Sequence, residues 1–370
     1  MDQDILYWVW LGSLSNITLR KKYKLLQTFG SPYDIWHASK NELLKNQSVS
    51  PEMAAILSDR NIKELTKRKL EDLYVRKIKI LPLKNSNYPA CLKEIYDPPI
   101  VLYVMGELLD DELCLAVVGS RNATEYGRNM AEKISYELAI NGFTITSGMA
   151  RGIDSSAHIG ALRANGRTIA VLGCGLDMVY PHENKELMEI ISKNGAVISE
   201  YVTGTNPLPA NFPARNRIIS GLSIGVTVIE ANERSGSLIT ANIALEQGRD
   251  VFAVPGNADS NNSLGTNRLI KEGARLVTGV DDILEELKFS QPGILESKEN
   301  LKEISQSKVL RGLTGEERII AEKLTDGKIQ IDALADKCNL SMQLINSTLV
   351  IMELKGIVEQ LPGKIFGLKI

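Results

Sequence analysis

Six short apolar segments alternate with helical patterns between residues 115 and 254. The segments span residues 115–118, 143–146, 168–172, 196–198, 226–229 and 250–254. Most of them are rich in Val, Ile, Leu or Ala and have no polar face. Strands of this kind, separated by helices, are typical of a parallel sheet that is covered by helices on both faces. We therefore predict an α/β fold built on an extended Rossmann-like parallel sheet.

Most of these segments end in short loops rich in glycine, serine and asparagine. The loops read GSRN, SGMARG, GCGLD, EANERSGS and PGN. Ligands of parallel sheets lie beyond the carboxyl ends of the strands. Small residues there let backbone N–H groups approach an anion closely. The loops together predict an anion-binding crevice at this edge of the sheet.

The segment 211–241 contributes most to the predicted crevice. Its strand ends at Glu230, and a loop with Ser235, Gly236 and Ser237 leads into a helix predicted to begin at Leu238. The free N–H groups and the dipole at a helix N-terminus favour a negatively charged ligand. We expect this loop to bind phosphate.

Three arginines are candidates to contact that phosphate. Arg121 directly follows a strand, at the end that borders the crevice. Arg215 and Arg217 are two positions apart on one predicted helix and cannot share a face. We expect one of them to contact the ligand and the other a structural carboxylate. Glu230 is the preferred partner, although a general base is an alternative role for it.

The chain of 370 residues divides into four predicted regions. Residues 1–72 are expected to form a helical domain of the helix-hairpin-helix or SAM-like kind. Residues 73–290 form the Rossmann-like core, which includes a strand at 75–81. A polar linker covers 291–308, and 309–370 follow a winged-helix plan. The helix expected to serve as recognition helix carries few cations, which favours protein contact over DNA contact.

Composition and spacing argue against several classes of protein. The net charge is −2, and the four cysteines and three histidines are scattered, so we expect neither a disulfide framework nor a metal site. Gly173 and Gly175 resemble the start of a dinucleotide fingerprint whose third glycine is missing, and we expect no cofactor. No apolar run is long enough to cross a membrane and no signal peptide is visible, which predicts a cytoplasmic protein.

A hydrolytic triad is also not expected. Asp154, Ser155 and His158 have suitable side chains, but they lie within five residues of one another on one predicted helix. That spacing does not give the geometry of nucleophile, base and orienting carboxylate.

The ordered motifs between residues 88 and 287 resemble those of the DNA-processing protein A family (DprA, also called Smf). They are GSRNATEYG, SGMARGID, GCGLD, FPARNRIISGLS, VIEA, SGSLITA and VFAVPG. The resemblance implies a core that binds single-stranded DNA and forms a homodimer, without catalysis. It also implies protection of incoming DNA and loading of the RecA recombinase during natural transformation.

Within the resemblance, Arg121, Arg215 and Arg217 match arginines of the family's DNA-binding motifs. Many members carry a lysine just ahead of the FPxRNR motif; this sequence has none there, and we expect Lys185 to compensate. Tyr126, Tyr180 and Phe212 are candidate platforms for bases. The full set of predicted DNA-binding residues is Gly119, Ser120, Arg121, Gly148, Arg151, Lys185, Asn211, Phe212, Arg215, Asn216, Arg217, Ser235, Gly236, Ser237 and Thr240.

Two other classes of protein share this layout. Rossmann-like nucleotide phosphoribohydrolases carry a PGGxGTxxE loop with a catalytic glutamate. Here the position three residues after Thr240 is Ile243, which argues against hydrolysis. A winged-helix regulator with a nucleotide-sensing core is the third alternative, and the low charge of the helix at 341–354 argues against it.

Overall fold

The computed structural model describes residues 3–110 and 112–290 and, further on, 313, 315–324, 327–355, 357–361 and 363–368. The chain divides into two compact units, Met1–Ile283 and Leu284–Ile370. The predicted linker at 291–308 lies outside the described residues.

The first unit begins with short helices that are bounded by side-chain caps. Their bounds are α1 Gln3–Ser13, α2 Leu19–Phe29, α3 Pro32–His37, α4 Lys40–Leu44, α5 Pro51–Ser58 and α6 Arg60–Val75. Ser31, Ser39, Ser50 and Asp59 each accept an N–H bond from the first turn of the helix that follows. These caps explain why the helices start where they do.

The apolar faces of these helices pack on the sheet rather than on one another alone. Trp10 of α1 and Leu73 of α6 share one buried core with Tyr103 and Ala170, which lie in strands of the sheet. The domain boundary near residue 72 stays a prediction, since the packing is continuous across it.

The sheet has nine strands in the order β1-β2-β6-β5-β4-β3-β7-β8-β9. The strands are β1 Lys79–Pro82, β2 Val101–Gly106, β3 Cys114–Val118, β4 Thr144–Ser147, β5 Thr168–Leu172, β6 Gly195–Ser199, β7 Ser223–Val228, β8 Asp250–Ala253 and β9 Arg275–Leu276. In this order, all strands between β6 and the edge strand β9 run parallel to one another, which includes β3, β4 and β5. Strand β2 runs antiparallel to both of its neighbours. The α/β fold and the six strands predicted from apolar segments are confirmed.

The prediction of a strand at 75–81 was wrong at its start. Helix α6 continues to Val75, and β1 begins only at Lys79. Arg76 pairs with Asp72 one helical turn earlier, which favours continuation of the helix. Lys77, with φ 56°, then turns the chain towards the strand.

The strand order creates a crevice between β3 and β7. The chain moves outward from β3 through β4 and β5 to β6, then crosses back to place β7 beside β3. At such a switch point the loops leave in opposite directions and open a ligand crevice at the carboxyl ends of the strands.

Helices lie between the strands along the chain. They are α7 Ala90–Lys93, α8 Glu125–Ile140, α9 Ile153–Arg163, α10 Lys185–Asn194, α11 Asn211–Leu222, α12 Gly236–Glu246 and α13 Leu264–Lys271. Helix α14 Val280–Ser290 follows β9 and includes the boundary between the two units. Ile218 and Ile219 of α11 pack with Val226 of β7 and Ala241 of α12 in a second core. Helix α12 begins two residues before the predicted start at Leu238, because Ser235 caps it.

Beyond α14, the described residues of the second unit form three helices and a small antiparallel sheet. These are α15 Glu316–Leu324, β10 Ile329–Gln330, α16 Ile331–Cys338, α17 Met342–Leu354, β11 Val358–Leu361 and β12 Ile365–Leu368, with sheet order β10-β12-β11. Ser341 accepts the Leu344 N–H at the start of α17. The second unit has a hydrophobic core of its own, which includes Ile320, Leu334, Leu349 and Phe366. The arrangement is that of a winged helix.

None of the helices described in either unit combines the length and the apolar character that crossing a bilayer needs.

Candidate functional site

A crevice of about 520 Å³ lies at the carboxyl ends of β3 and β7. Its walls come from the loop after β3, the first turns of α11 and the N-terminus of α12. The predicted site residues that line it are Gly119, Ser120, Arg121, Phe212, Arg215, Asn216, Ser235, Gly236, Ser237 and Thr240. Gly148, Arg151, Lys185, Asn211 and Arg217 are not part of this lining.

The loop after β3 is held by backbone hydrogen bonds to neighbouring elements. The Ser120 N–H donates to the carbonyl of Glu230 over 2.7 Å, and the Ser120 carbonyl accepts from Ile153 N–H over 3.2 Å. Gly119 has no room for a side chain, because a Cβ there would lie 2.6 Å from Ile153 Cγ1. The loop therefore presents Arg121 at a defined point of the rim.

Arg121 is exposed, and its guanidinium carbon lies 5.3 Å from the centroid of the Phe212 ring. This distance is in the range of a cation–π contact. The ion pairs between described residues of the core use other arginines. The charge of Arg121 is thus available to an anionic ligand in the crevice.

Arg215 lies deeper, with only 3% of its surface exposed. One of its Nη atoms donates to the carbonyls of Gly148, over 2.8 Å, and of Val171. Its Nε is buried and has no partner among the described residues. Burial lowers the pKa of Arg215 to about 10, and the nearby Asp154 carboxylate acts in the opposite direction. Arg215 thus supplies a buried positive charge to the floor of the crevice.

Gly148 lies beneath the crevice and allows Arg215 and Asp154 to converge. A Cβ on Gly148 would lie 2.6 Å from Arg215 Nη2 and 2.7 Å from Asp154 Oδ2. Burial raises the pKa of Asp154, while the charge of Arg215 and a hydrogen bond from Ala150 N–H oppose that rise. A larger residue at position 148 would displace either side chain.

Arg217 points to the opposite side of α11 and binds carboxylates. It donates to both oxygens of Glu200, over 2.9 and 2.6 Å, and to Asp97 over 3.0 Å. Burial alone would lower the pKa of Arg217, but the two carboxylates outweigh it and the pKa is raised. Arg217 therefore has the carboxylate partner that was expected for one of the two arginines, and contact of Arg215 with a ligand stays a prediction.

The prediction that Glu230 would be the arginine's partner was wrong. Its carboxylate accepts hydrogen bonds from the backbone N–H and the hydroxyl of Thr124, the residue that caps α8. Glu230 is 4% exposed and stabilises the N-terminus of that helix. Glu200, not Glu230, is the carboxylate that pairs with Arg217.

The N-terminus of α12 forms the wall opposite Arg121. Ser235 accepts the Ser237 N–H over 3.4 Å, and their hydroxyls lie 2.7 Å apart. The Asn216 side chain donates to the Gly236 carbonyl over 3.3 Å and so links α11 to α12. A Cβ on Gly236 would meet no heavy atom within 4 Å, so the first turn of α12 is open.

The remaining predicted residues have other surroundings. Arg151 pairs with Glu183 on the surface, and Lys185 is exposed at the start of α10. The Asn211 amide donates to the carbonyl of Gly173 over 3.0 Å and holds the start of α11 to the loop after β5. Of the three aromatic candidates, Tyr180 and Phe212 line the crevice and Tyr126 does not.

Asparagines of three separate loops also line the crevice and were missed. They are Asn122, Asn232 and Asn262. The Asn262 side chain donates to the Asn122 backbone carbonyl over 3.0 Å. The backbone carbonyl of Asn262 accepts a hydrogen bond from Ala231 N–H. The first of these contacts joins residues 140 positions apart, and no local sequence pattern indicates either contact.

Comparison with known proteins gives this site a family. The model described as DNA recombination-mediator protein A matches residues 79–288, and that of the DprA winged helix domain matches 306–364. The chain belongs to the DNA recombination-mediator protein A family. The resemblance inferred from the motifs is confirmed.

Two relatives in this family show the extent of the similarity. The DNA processing protein DprA of Streptococcus pneumoniae is 50% identical over 203 residues, 55% of this chain and 72% of that protein. The Smf protein of Escherichia coli is 41% identical over 287 residues, 77% of this chain and 76% of that protein.

Two solved structures of family members are also similar. DprA of S. pneumoniae has a TM-score of 0.62 at 39% identity and covers 76% of this chain and 97% of its own. DNA processing protein A of Helicobacter pylori has a TM-score of 0.53 at 32% identity, covers 58% and 97%, and was described for its single-stranded DNA binding mode.

Proposed function

We propose that the crevice between β3 and β7 binds single-stranded DNA without reading its sequence. The observation that carries the proposal is the convergence of exposed Arg121, the paired rings of Tyr180 and Phe212 and the open N-terminus of α12 on one crevice. A guanidinium and free N–H groups suit phosphates, and an aromatic ring suits an unstacked base. The described binding mode of the H. pylori relative supports the same ligand.

The crevice carries few cations for a DNA-binding site. Pro207 and Pro209 line it where many members of the family have a lysine. For single strands each neutralised phosphate adds about 0.7 to the slope of log affinity against log salt. We therefore expect a shallow salt dependence, with a slope of about −0.7 to −1.4 for each crevice, which corresponds to one or two phosphate contacts.

Replacing Arg121 tests the assignment of the site. Arg121→Ala should weaken binding of a single-stranded oligonucleotide about tenfold or more, because a hydrogen bond to a charged group contributes roughly 1.5–3 kcal/mol. Arg128→Ala is the matched control, since Arg128 is exposed on α8 and lies outside the crevice lining. Fluorescence anisotropy titrations measure the affinity of both variants. If Arg121→Ala binds as tightly as the wild type, the crevice is not the DNA-binding site.

The bound strand is proposed to be DNA that enters the cell during natural transformation. The protein would protect this strand and load the RecA recombinase onto it in the cytoplasm. The family description as recombination mediators supports this role. ATP hydrolysis by RecA on DNA that is precoated with a single-strand-binding protein should start sooner when this protein is added. An unchanged lag contradicts the role in RecA loading.

The proposal includes a homodimer formed through the core and no catalytic reaction. Two crevices of modest charge gain affinity when one strand spans both of them. Asp154 is the carboxylic acid that lines the crevice, and it is buried between Arg215 and Ala150 N–H. Ile243 stands where the phosphoribohydrolases have their catalytic glutamate. Release of free base from nucleoside monophosphates at enzymic rates contradicts the non-catalytic role.

A further inference from the structure

Tyr180 and Phe212 form a pair of rings at the rim of the crevice. Their centroids lie 5.4 Å apart, and the ring planes are inclined by 38°. A base inserted between two rings needs a separation of about 7 Å, twice an aromatic contact distance. The pair therefore cannot hold a base between its members and offers only outer faces for stacking.

The surroundings of Phe212 leave its ring little accessible. Gly173 lies against it so closely that a Cβ at that position would be 3.0 Å from Phe212 Cδ1. The guanidinium carbons of Arg121 and Arg215 lie 5.3 and 5.9 Å from its centroid. Phe212 is thus enclosed by a backbone, two cations and the Tyr180 ring.

Tyr180 is the accessible member of the pair, with 43% of its surface exposed. Its backbone position is supported by the short 3-10 helix that follows at His182–Asn184. The buried Asn184 side chain donates to the Met149 carbonyl and to the Ser155 hydroxyl, each over 2.9 Å. These bonds hold the loop after β5 against α9. The segment that carries Tyr180 is therefore fixed to the rest of the core.

We propose that Tyr180 is the surface on which a nucleobase stacks, and that Phe212 is a positioning residue that supports Tyr180 and directs Arg121 to the adjacent phosphate. The inference rests on the proposed function and assigns its selectivity for single strands to one side chain. A base in a duplex is stacked on both faces already, whereas an unpaired base can cover the exposed Tyr180 ring. Stacking also supplies affinity where the crevice lacks a lysine.

Comparison of a normal and an abasic strand separates stacking from phosphate binding. The full-length protein is titrated with a fluorescent thymidine oligonucleotide and with an abasic oligonucleotide of equal length. Tyr180→Ala should bind the thymidine strand about tenfold more weakly, given the known contribution of base–aromatic stacking. Its affinity for the abasic strand should equal that of the wild type.

Two further variants complete the experiment. Tyr180→Phe keeps the ring and should bind both strands like the wild type. Tyr126→Ala is the matched control, because Tyr126 is 52% exposed and lies outside the crevice lining. It should also leave both affinities unchanged.

The inference is overturned if Tyr180→Ala binds the thymidine strand as tightly as the wild type. An equal loss on both strands also overturns it, since that result assigns Tyr180 a structural role. Wild-type protein that binds neither strand contradicts the proposed function itself. A wild type that binds while Tyr180→Ala is unaffected leaves that function intact.

Discussion

Arg215 and Arg217 show how two identical side chains on one helix acquire different roles. Two positions along a helix correspond to a rotation of about 200°, so their side chains point to opposite sides. Their separation into a crevice residue and a carboxylate partner was therefore predictable from spacing alone. The identity of the carboxylate was not, because Glu200 approaches Arg217 only through the fold. Glu230 had the right position in sequence but is engaged by Thr124.

The buried pair of Arg217 and Glu200 predicts a large effect on stability. Arg217→Ala leaves the Glu200 carboxylate, 16% exposed, without its cation. Breaking a buried pair in this way should lower the free energy of unfolding by about 3–5 kcal/mol. Arg268→Ala removes one partner of the exposed Arg268–Glu272 pair and should cost less than about 1 kcal/mol. Urea denaturation measures both, and equal small effects contradict this account of Arg217.

At the scale of helices and strands, apolar patterning predicted the sheet well and the helix starts less well. Six of the seven parallel strands come from short apolar runs, most of which have no polar face, and this is a distinctive pattern. The edge strand β9 has only two residues, Arg275–Leu276, and is too short for any pattern. The start of α12 at Gly236 depends on the hydroxyl cap of Ser235, a contact that apolar periodicity does not register. The strand-end loops still predicted the crevice, because topology alone brings them together.

The contact between α9 and β5 predicts a pH dependence of stability. The Thr168 hydroxyl donates to the Ile145 carbonyl, so His158 Nδ1 donates to Thr168 Oγ1 over 2.6 Å. Burial lowers the pKa of His158 from 6.5 to about 3, and the charge of Arg215 adds to this effect. As pH falls below 6.5, the His158 imidazole becomes protonated in the unfolded chain but stays neutral in the folded chain. The contribution of His158 to stability is thus complete above that range and is lost towards pH 3.

His158→Gln removes this titration and isolates its effect. The difference in unfolding free energy between wild type and variant should be constant above pH 6.5. It should shift in favour of the variant as pH falls towards 3. Urea titrations of both proteins at about pH 7.5, 5.5 and 4.5 measure this difference in unfolding free energy. A difference that does not change with pH contradicts a buried neutral imidazole.

At the scale of the whole molecule, two compact units carry the family's core and its winged helix. Both folds were predictable, because the core motifs are specific and the second unit has a regular pattern of helices and strands. The sharing of one core between the N-terminal helices and the sheet was not predictable. That core depends on which faces of α1 and α6 meet strands far away in sequence.

The proposed dimer belongs to this scale and has a direct test. Light scattering at micromolar concentration, without DNA, should give twice the mass of one chain. A single-chain mass at that concentration contradicts assembly through the core. In that case each crevice would act alone, and the gain from two linked crevices would be absent.

The measurement that tests the central claim most directly compares single- and double-stranded DNA across a range of salt concentrations. The wild-type protein is titrated with one oligonucleotide and with the duplex of the same sequence. The crevice, with its exposed Tyr180 ring and few cations, predicts tighter binding of the single strand at every salt concentration and a shallow salt slope. Equal or tighter binding of the duplex, with a steep salt slope, would contradict the assignment of this crevice to single-stranded DNA.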